Sequence, residues 1–209
     1  SSLPVVDLAA MDGSEAERRA CAQAVGRACE ETGFLYVRAP ETADRTQEDV
    51  LEAAARFFAL PQAAKAGISN EHSYCFRGYV AQGLENTGGV ADQREQIEFG
   101  SEAPPVAAVG TWPYYRRLVG PNQWPSEALL PGFRDQIEGF AAAMTAASTR
   151  VTRALALHLS GDERRADVLF SRAHLQWKVC RYPLLGDGAE PGADAASGVG
   201  AHADSGVLT

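Results

Sequence analysis

Between residues 131 and 159 apolar side chains recur at every third or fourth position, and Ser160-Gly161 closes the run. Phe133, Ile137, Phe140, Met144, Ala147, Val151 and Leu155 mark the stripe. That period is helical and leaves one apolar face, which a helix of this length has to bury against other elements. The candidates on both sides read as strands: the apolar run Leu3-Pro4-Val5-Val6-Asp7-Leu8, the run Phe34-Leu35-Tyr36-Val37 between Gly33 and Pro40, and an alternating segment over 175–182. A long amphipathic helix set between strand candidates reads as a mixed α+β chain. His158 falls on the apolar stripe and is read as a histidine at the edge of the core face.

Local signals fill in the remaining elements. Ser14-Glu15-Ala16-Glu17 reads as a capping box that opens a helix, with Cys21, Ala24, Val25, Ala28 and Cys29 on its apolar side and Gly33 as its stop. A second helix is expected over 46–58, ended at Leu60-Pro61, since the residue before proline avoids the helical region. Residues 67–125, rich in Gly, Pro and aromatics, read as loops with short strands, and a shorter helix is expected over 163–170. On 175–182, Leu175, Trp177 and Val179 alternate with Gln176, Lys178, Cys180 and Tyr182, so one strand face is apolar and the other polar. That polar face suggests a cavity wall. Residues 186–200 form a Gly-rich connector that lacks the lysine of a phosphate loop. One structural domain is expected, with an N-terminal helix and strand region over 1–125 and the long helix and first core strands over 126–209.

A net charge of −8 without a Lys/Arg cluster argues against a nucleic-acid surface. No run of 18 apolar residues and no basic-then-apolar leader occurs, so neither a membrane span nor a secretory signal is expected, and the expected location is the cytoplasm. Cys21, Cys29, Cys75 and Cys180 have no zinc-ribbon spacing and read as reduced thiols. The oligomeric state is left open.

The chemistry concentrates at Ala201-His202-Ala203-Asp204-Ser205-Gly206. In an extended segment residues i and i+2 share a face, so the His202 imidazole and the Asp204 carboxylate can reach one metal ion. They amount to two thirds of a 2-His-1-carboxylate triad, the set that holds non-haem Fe(II) with positions left open. The other histidines, His72, His158 and His174, all lie upstream. Arg77, in the run Phe76-Arg77-Gly78-Tyr79, is a candidate partner for a carboxylated substrate, and Tyr79 a candidate beside it. For both, the alternative is a structural role.

Taken in order, "LPVVDLA", "CEETGFLYVRAP", "RFFALPQAAK", "RGYVAQG", "EQIEFG", "WKVCRYPLL" and "GVGAHADSGVLT" resemble the isopenicillin N synthase-like family of Fe(II)- and 2-oxoglutarate-dependent oxygenases. The specificity lies in the ordered combination, which runs from Leu3 to Thr209. The resemblance implies a double-stranded β-helix (jelly-roll) core flanked by helices, with Fe(II), 2-oxoglutarate as co-substrate and O₂. It makes His202 and Asp204 metal ligands, and Tyr182, before Pro183, a contact to a carboxylate of 2-oxoglutarate or substrate. Cys180 stands at a second cofactor-contacting position, where plant members commonly carry asparagine.

The implied activity is oxidation of a small molecule coupled to decarboxylation of the 2-oxo acid, in bacterial secondary or amino-acid metabolism. Two alternatives stay open: an oxidase of the isopenicillin N synthase type that uses no 2-oxoglutarate, and a catalytically silent interaction module. Family members continue past the His-x-Asp motif to a distal histidine and an Arg-x-Ser, and an eight-stranded jelly roll needs about 80–100 further residues. The chain is therefore expected to be incomplete at its C-terminus.

Overall fold

A computed structural model describes residues 2–42, 46–105, 113–183, 198–204 and 206–209. The chain divides into two compact units, residues 1–52 with 135–173 and residues 53–134 with 174–209. Helices and strands occur in both, so the fold is mixed α+β as the periodicity predicts.

The first unit holds β1 (Val5–Asp7), α1 (Glu15–Glu31), β2 (Tyr36–Arg38), the first turns of α2 (Thr46–Phe58), most of α4 (Phe133–Ser160) and α5 (Arg164–Leu169), with α3 (Gln62–Ala66) falling in the second. Its β1 and β2 pair in parallel, Val5 opposite Tyr36. The capping box forms as expected: Ser14 Oγ accepts from the Glu17 backbone at 3.4 Å, and Glu17 Oε2 accepts from the Ser14 backbone at 2.7 Å. Gly33, at φ 71°, takes the left-handed conformation that ends α1. The Thr32 hydroxyl then accepts from the Phe34 backbone N–H at 3.2 Å, which holds Phe34 in the turn and starts the strand at Tyr36. Val6, Leu8, Val25, Ala147, Val151 and Ala154 are buried together in this unit's core. His158 belongs to the same packing. Its ring lies over Gly26, where a Cβ would come within 2.4 Å of Cδ2, and its Nε2 sits 3.2 Å from Glu30 Oε1. Glycine in mid-helix costs up to about 1 kcal/mol relative to alanine, and here it makes room for the imidazole.

The second unit holds α3, β3 (Gly78–Val80), the hairpin β4 (Asn86–Thr87) and β5 (Val90–Ala91), β6 (Glu95–Gly100) and β7 (Gln176–Arg181). The strands β3, β6 and β7 form an antiparallel sheet with β6 in the centre. On β6, Ile97 and Phe99 turn to an aromatic core, in which Phe99 stacks on Trp124 at 4.6 Å and Phe57 on Phe133 at 5.4 Å. Gln96 and Glu98 face the other way, opposite Cys180 and Lys178, and are buried despite their polarity.

The described residues of 67–125 are loops, short 3-10 turns and short strands as expected, and among them β6 is the longest strand. All six residues of β6 are buried. Glu, Gln and Gly dilute the strand signal there because the charged positions are satisfied by partners instead of solvent. The connector expected over 186–200 falls mostly outside the described residues. Among the described residues no helix is long and apolar enough to cross a membrane.

Candidate functional site

The sheet leads directly into the site. On one side of β6 and β7 lies a closed ionic cluster. Glu95 accepts from Lys65 Nζ at 2.7 Å, from the Tyr79 hydroxyl at 2.6 Å and from Arg181 Nη1 at 2.7 Å. Lys65 and Arg181 both also donate to the Phe58 carbonyl. Burial pushes the Glu95 carboxyl up, but the hydrogen bonds from Lys65 and Tyr79 and the nearby charges outweigh it and hold the group below the usual carboxylate range. The Tyr79 phenol is pushed up to about 12, by burial first and by Glu95 second.

Tyr79 is thus a strut of the sheet, with its hydroxyl committed to Glu95. Arg77 is placed similarly. Its guanidinium is buried, donates to the Phe99 carbonyl at 3.3 Å and the Leu118 carbonyl at 3.0 Å, and lies so close to Gly100 that a Cβ there would meet Nη2 at 2.0 Å. Burial pulls its pKa down. Both side chains singled out as substrate contacts therefore have their polar atoms occupied within the scaffold, Nε of Arg77 excepted.

The opposite face is built differently. Lys178 pairs with Glu98 at 2.8 Å, and Cys180 Sγ lies 3.7 Å from Gln96 Oε1, with burial pushing the thiol up. Next along, Arg94 Nη2 meets Glu85 at 2.8 Å and Asp92 at 3.2 Å, while its Nη1 donates to the Tyr182 hydroxyl at 3.2 Å. The Gly-flanked segment 198–204 docks here. The Gln93 backbone N–H donates to the Gly198 carbonyl at 2.9 Å. Gly198 has no room for a side chain, since a Cβ there would lie 2.2 Å from the Tyr182 ring, and at Gly200 the fit is tight, with a Cβ 3.0 Å from Thr87 Cγ2. Glycine is what lets this backbone approach the tyrosine and the hairpin.

At the end of that segment His202 Nε2 and Asp204 Oδ1 stand 3.3 Å apart, both about half exposed. His202 Nδ1 is 2.9 Å from the Gly200 carbonyl. A carbonyl only accepts, so Nδ1 donates to it and Nε2 is the nitrogen turned toward the carboxylate, the orientation that metal-binding histidines take from such a partner. The donor set thus fits a divalent metal such as Fe(II) as two converging ligands. Residues 201–204 are not in a β-ladder, and no described segment pairs with them. The i, i+2 convergence persists without it. Among the described residues no cluster of three or more His, Cys, Asp or Glu side chains forms a fuller metal site.

Sequence reasoning singled out His202, Asp204, Tyr182 and Cys180 but passed over Arg94 and Gln93. Their significance comes from the register that sets them beside Tyr182 and Gly198, and no local pattern announces it.

This architecture has known counterparts. Residues 3–127 match the family model for the N-terminal region of the non-haem dioxygenase in morphine synthesis. A 2-oxoglutarate-dependent dioxygenase of Gibberella zeae is 35% identical over 184 residues, covering 85% of this chain and 46% of that protein. The 2-oxoglutarate-dependent dioxygenase frbJ of Dothideomycetidae sp. is 32% identical over 207 residues, covering 98% and 54%. The fold matches a full-length Neurospora crassa protein, solved in complex with alpha-KG, at a TM-score of 0.70 and 24% identity, over 87% of this chain and 54% of that one. The chain belongs to the isopenicillin N synthase-like superfamily of 2-oxoglutarate- and Fe(II)-dependent oxygenases. It spans about half the length of these relatives.

Proposed function

We propose that the whole protein is an Fe(II)- and 2-oxoglutarate-dependent dioxygenase that oxidises a small molecule within a jelly-roll core, with His202 and Asp204 as two of its metal ligands. The observation that carries this reading is the pairing of His202 Nε2 with Asp204 Oδ1 at 3.3 Å, with Nδ1 oriented by the Gly200 carbonyl. Bound iron supplies the place where O₂ and the 2-oxo acid meet.

The remaining work falls to the chain's own groups. His202 and Asp204 hold the metal from one short segment, and Gly198 and Gly200 let that segment lie against Tyr182 and Thr87. Tyr182 donates its hydroxyl hydrogen to a carboxylate of 2-oxoglutarate, and Cys180 borders the same polar face. Arg77 and Tyr79 support the sheet instead of contacting substrate, since their donors are already engaged. The relatives named above are fungal, so they lend no support to a bacterial pathway.

The test is release of CO₂ from 2-oxoglutarate by the whole protein with added Fe(II). Turnover that needs both iron and 2-oxoglutarate and is abolished by Asp204→Ala supports the reading. Turnover that needs iron but no 2-oxo acid points to the oxidase alternative, and the absence of iron binding points to a silent module.

A further inference from the structure

The Tyr182 hydroxyl has one hydrogen and two lone pairs, and its surroundings decide where that hydrogen points. Arg94 Nη1 donates to the oxygen at 3.2 Å. A guanidinium has no acceptor, so the phenolic hydrogen cannot return the bond and must point elsewhere. No described residue accepts it, and Tyr182 is 47% exposed, so among the described residues nothing competes with a ligand for that hydrogen. Arg94 is itself fixed: Glu85 and Asp92 both bind its Nη2, and Asp92 is in turn held by the Thr87 hydroxyl at 3.2 Å. With two carboxylates already on one guanidinium, the local charge does not favour Arg94 as the seat for a further anion.

We infer that Arg94 is a positioning residue that orients Tyr182 as a hydrogen-bond donor toward the carboxylate of the 2-oxo acid. The adjacent residue strengthens the case. Gln93 holds the Gly198 carbonyl through its backbone N–H at 2.9 Å, and Gly198 carries the Tyr182 ring. Consecutive residues at the entrance to β6 thus fix both the tyrosine and the segment that bears His202 and Asp204. A guanidinium donor also polarises the phenol, which makes its hydrogen the stronger donor to an anion.

This inference rests on the proposed contact between Tyr182 and 2-oxoglutarate, and its test separates the two. The dissociation constant of 2-oxoglutarate is measured by titration calorimetry on the whole protein loaded with Mn(II), which needs no turnover. Tyr182→Phe is expected to weaken binding about 10- to 100-fold, the loss of a charge-assisted hydrogen bond. Arg94→Gln is expected to weaken it roughly 5- to 20-fold when Tyr182 is present and less than about twofold when residue 182 is phenylalanine, because its effect passes through the hydroxyl.

If Tyr182→Phe changes nothing, the Tyr182 contact is wrong and this inference falls with it. If Tyr182→Phe weakens binding but Arg94→Gln does so equally in both backgrounds, Arg94 acts directly, through the Nε that has no partner in the described structure, or through the fold alone, and the positioning role is wrong. If Arg94→Gln does not fold, Arg94→Lys retains the charge against Glu85 and Asp92 while losing the fork. It should then show the same dependence on Tyr182 at smaller size, and equal weakening in both backgrounds would overturn the inference.

Discussion

The two faces of the β6–β7 sheet solve the same problem in opposite ways. On one face Glu95 takes hydrogen bonds from Lys65, Tyr79 and Arg181, and both Lys65 and Glu95 are almost wholly buried. On the other, Arg94 holds Tyr182, whose hydroxyl hydrogen is not taken by any described residue, and the segment docked beside it carries His202 and Asp204, both half exposed. A buried polar group is tolerated when every partner is in place, and it then specifies structure. A group with partners on one side only is available to a ligand. This contrast separates residues whose types alone look equally chemical, such as Tyr79 and Tyr182.

The largest effect that would break the comparison lies at Glu95. Glu95→Gln leaves Lys65 and Arg181 without their counter-charge and should cost about 3–5 kcal/mol of unfolding free energy in urea. His202→Ala and Asp204→Asn, on the exposed side, should change it by no more than about 0.5 kcal/mol. Similar costs at both places would erase the distinction between scaffold and site.

Acid sharpens the same point. The Glu95 carboxyl is held below its ordinary range in the folded state, so the stability it contributes is complete above the unfolded value of about 4.3. That stability is lost as pH falls through the lower, folded value. Stability measured from pH 6 downward should therefore fall below about pH 4.3, and Glu95→Gln should flatten that fall.

Arg77→Met should come next in size. It removes the Arg77 donor from the buried Phe99 carbonyl and the half-buried Leu118 carbonyl, at a cost of about 1–3 kcal/mol in all. Binding of 2-oxoglutarate should stay within about twofold, or ~0.4 kcal/mol, of the parent. A larger change in affinity would return Arg77 to the ligand site. Smaller still in stability is Gly198→Ala, whose methyl would collide with the Tyr182 ring. Displacing that ring or the segment beneath it should weaken 2-oxoglutarate binding several-fold and alter the melting temperature by only a few degrees.

Much of this was legible in the sequence wherever a local rule decides the outcome. Ser14 with Glu17, Gly33, the stripe from Phe133 to Leu155 and the alternation at Trp177 and Val179 each act within a few residues, and the helices and β7 follow from them. What stayed hidden depends on distant partners. β6 reads poorly because Glu95, Gln96 and Glu98 are acceptable inside only when Lys65, Arg181, Cys180 and Lys178 arrive from elsewhere. For the same reason the hydrogen bonds of Arg77 to the carbonyls of Phe99 and Leu118, 22 and 41 positions away, could not be read from its own segment. His202 and Asp204 were visible because their spacing alone brings them together, whereas Arg94 is separated from Tyr182 by 88 positions.

If His202 and Asp204 form part of one metal site, a metal titration must depend on both. The whole protein, stripped of metal, is titrated with Mn(II) and followed by electron paramagnetic resonance, alongside His202→Ala and Asp204→Ala. One site per chain is expected in the parent protein and affinity reduced by at least about 100-fold, ~2.7 kcal/mol, in each variant, with the melting temperature of the metal-free proteins unchanged. A His202→Ala variant that binds Mn(II) as tightly as the parent would contradict the shared site.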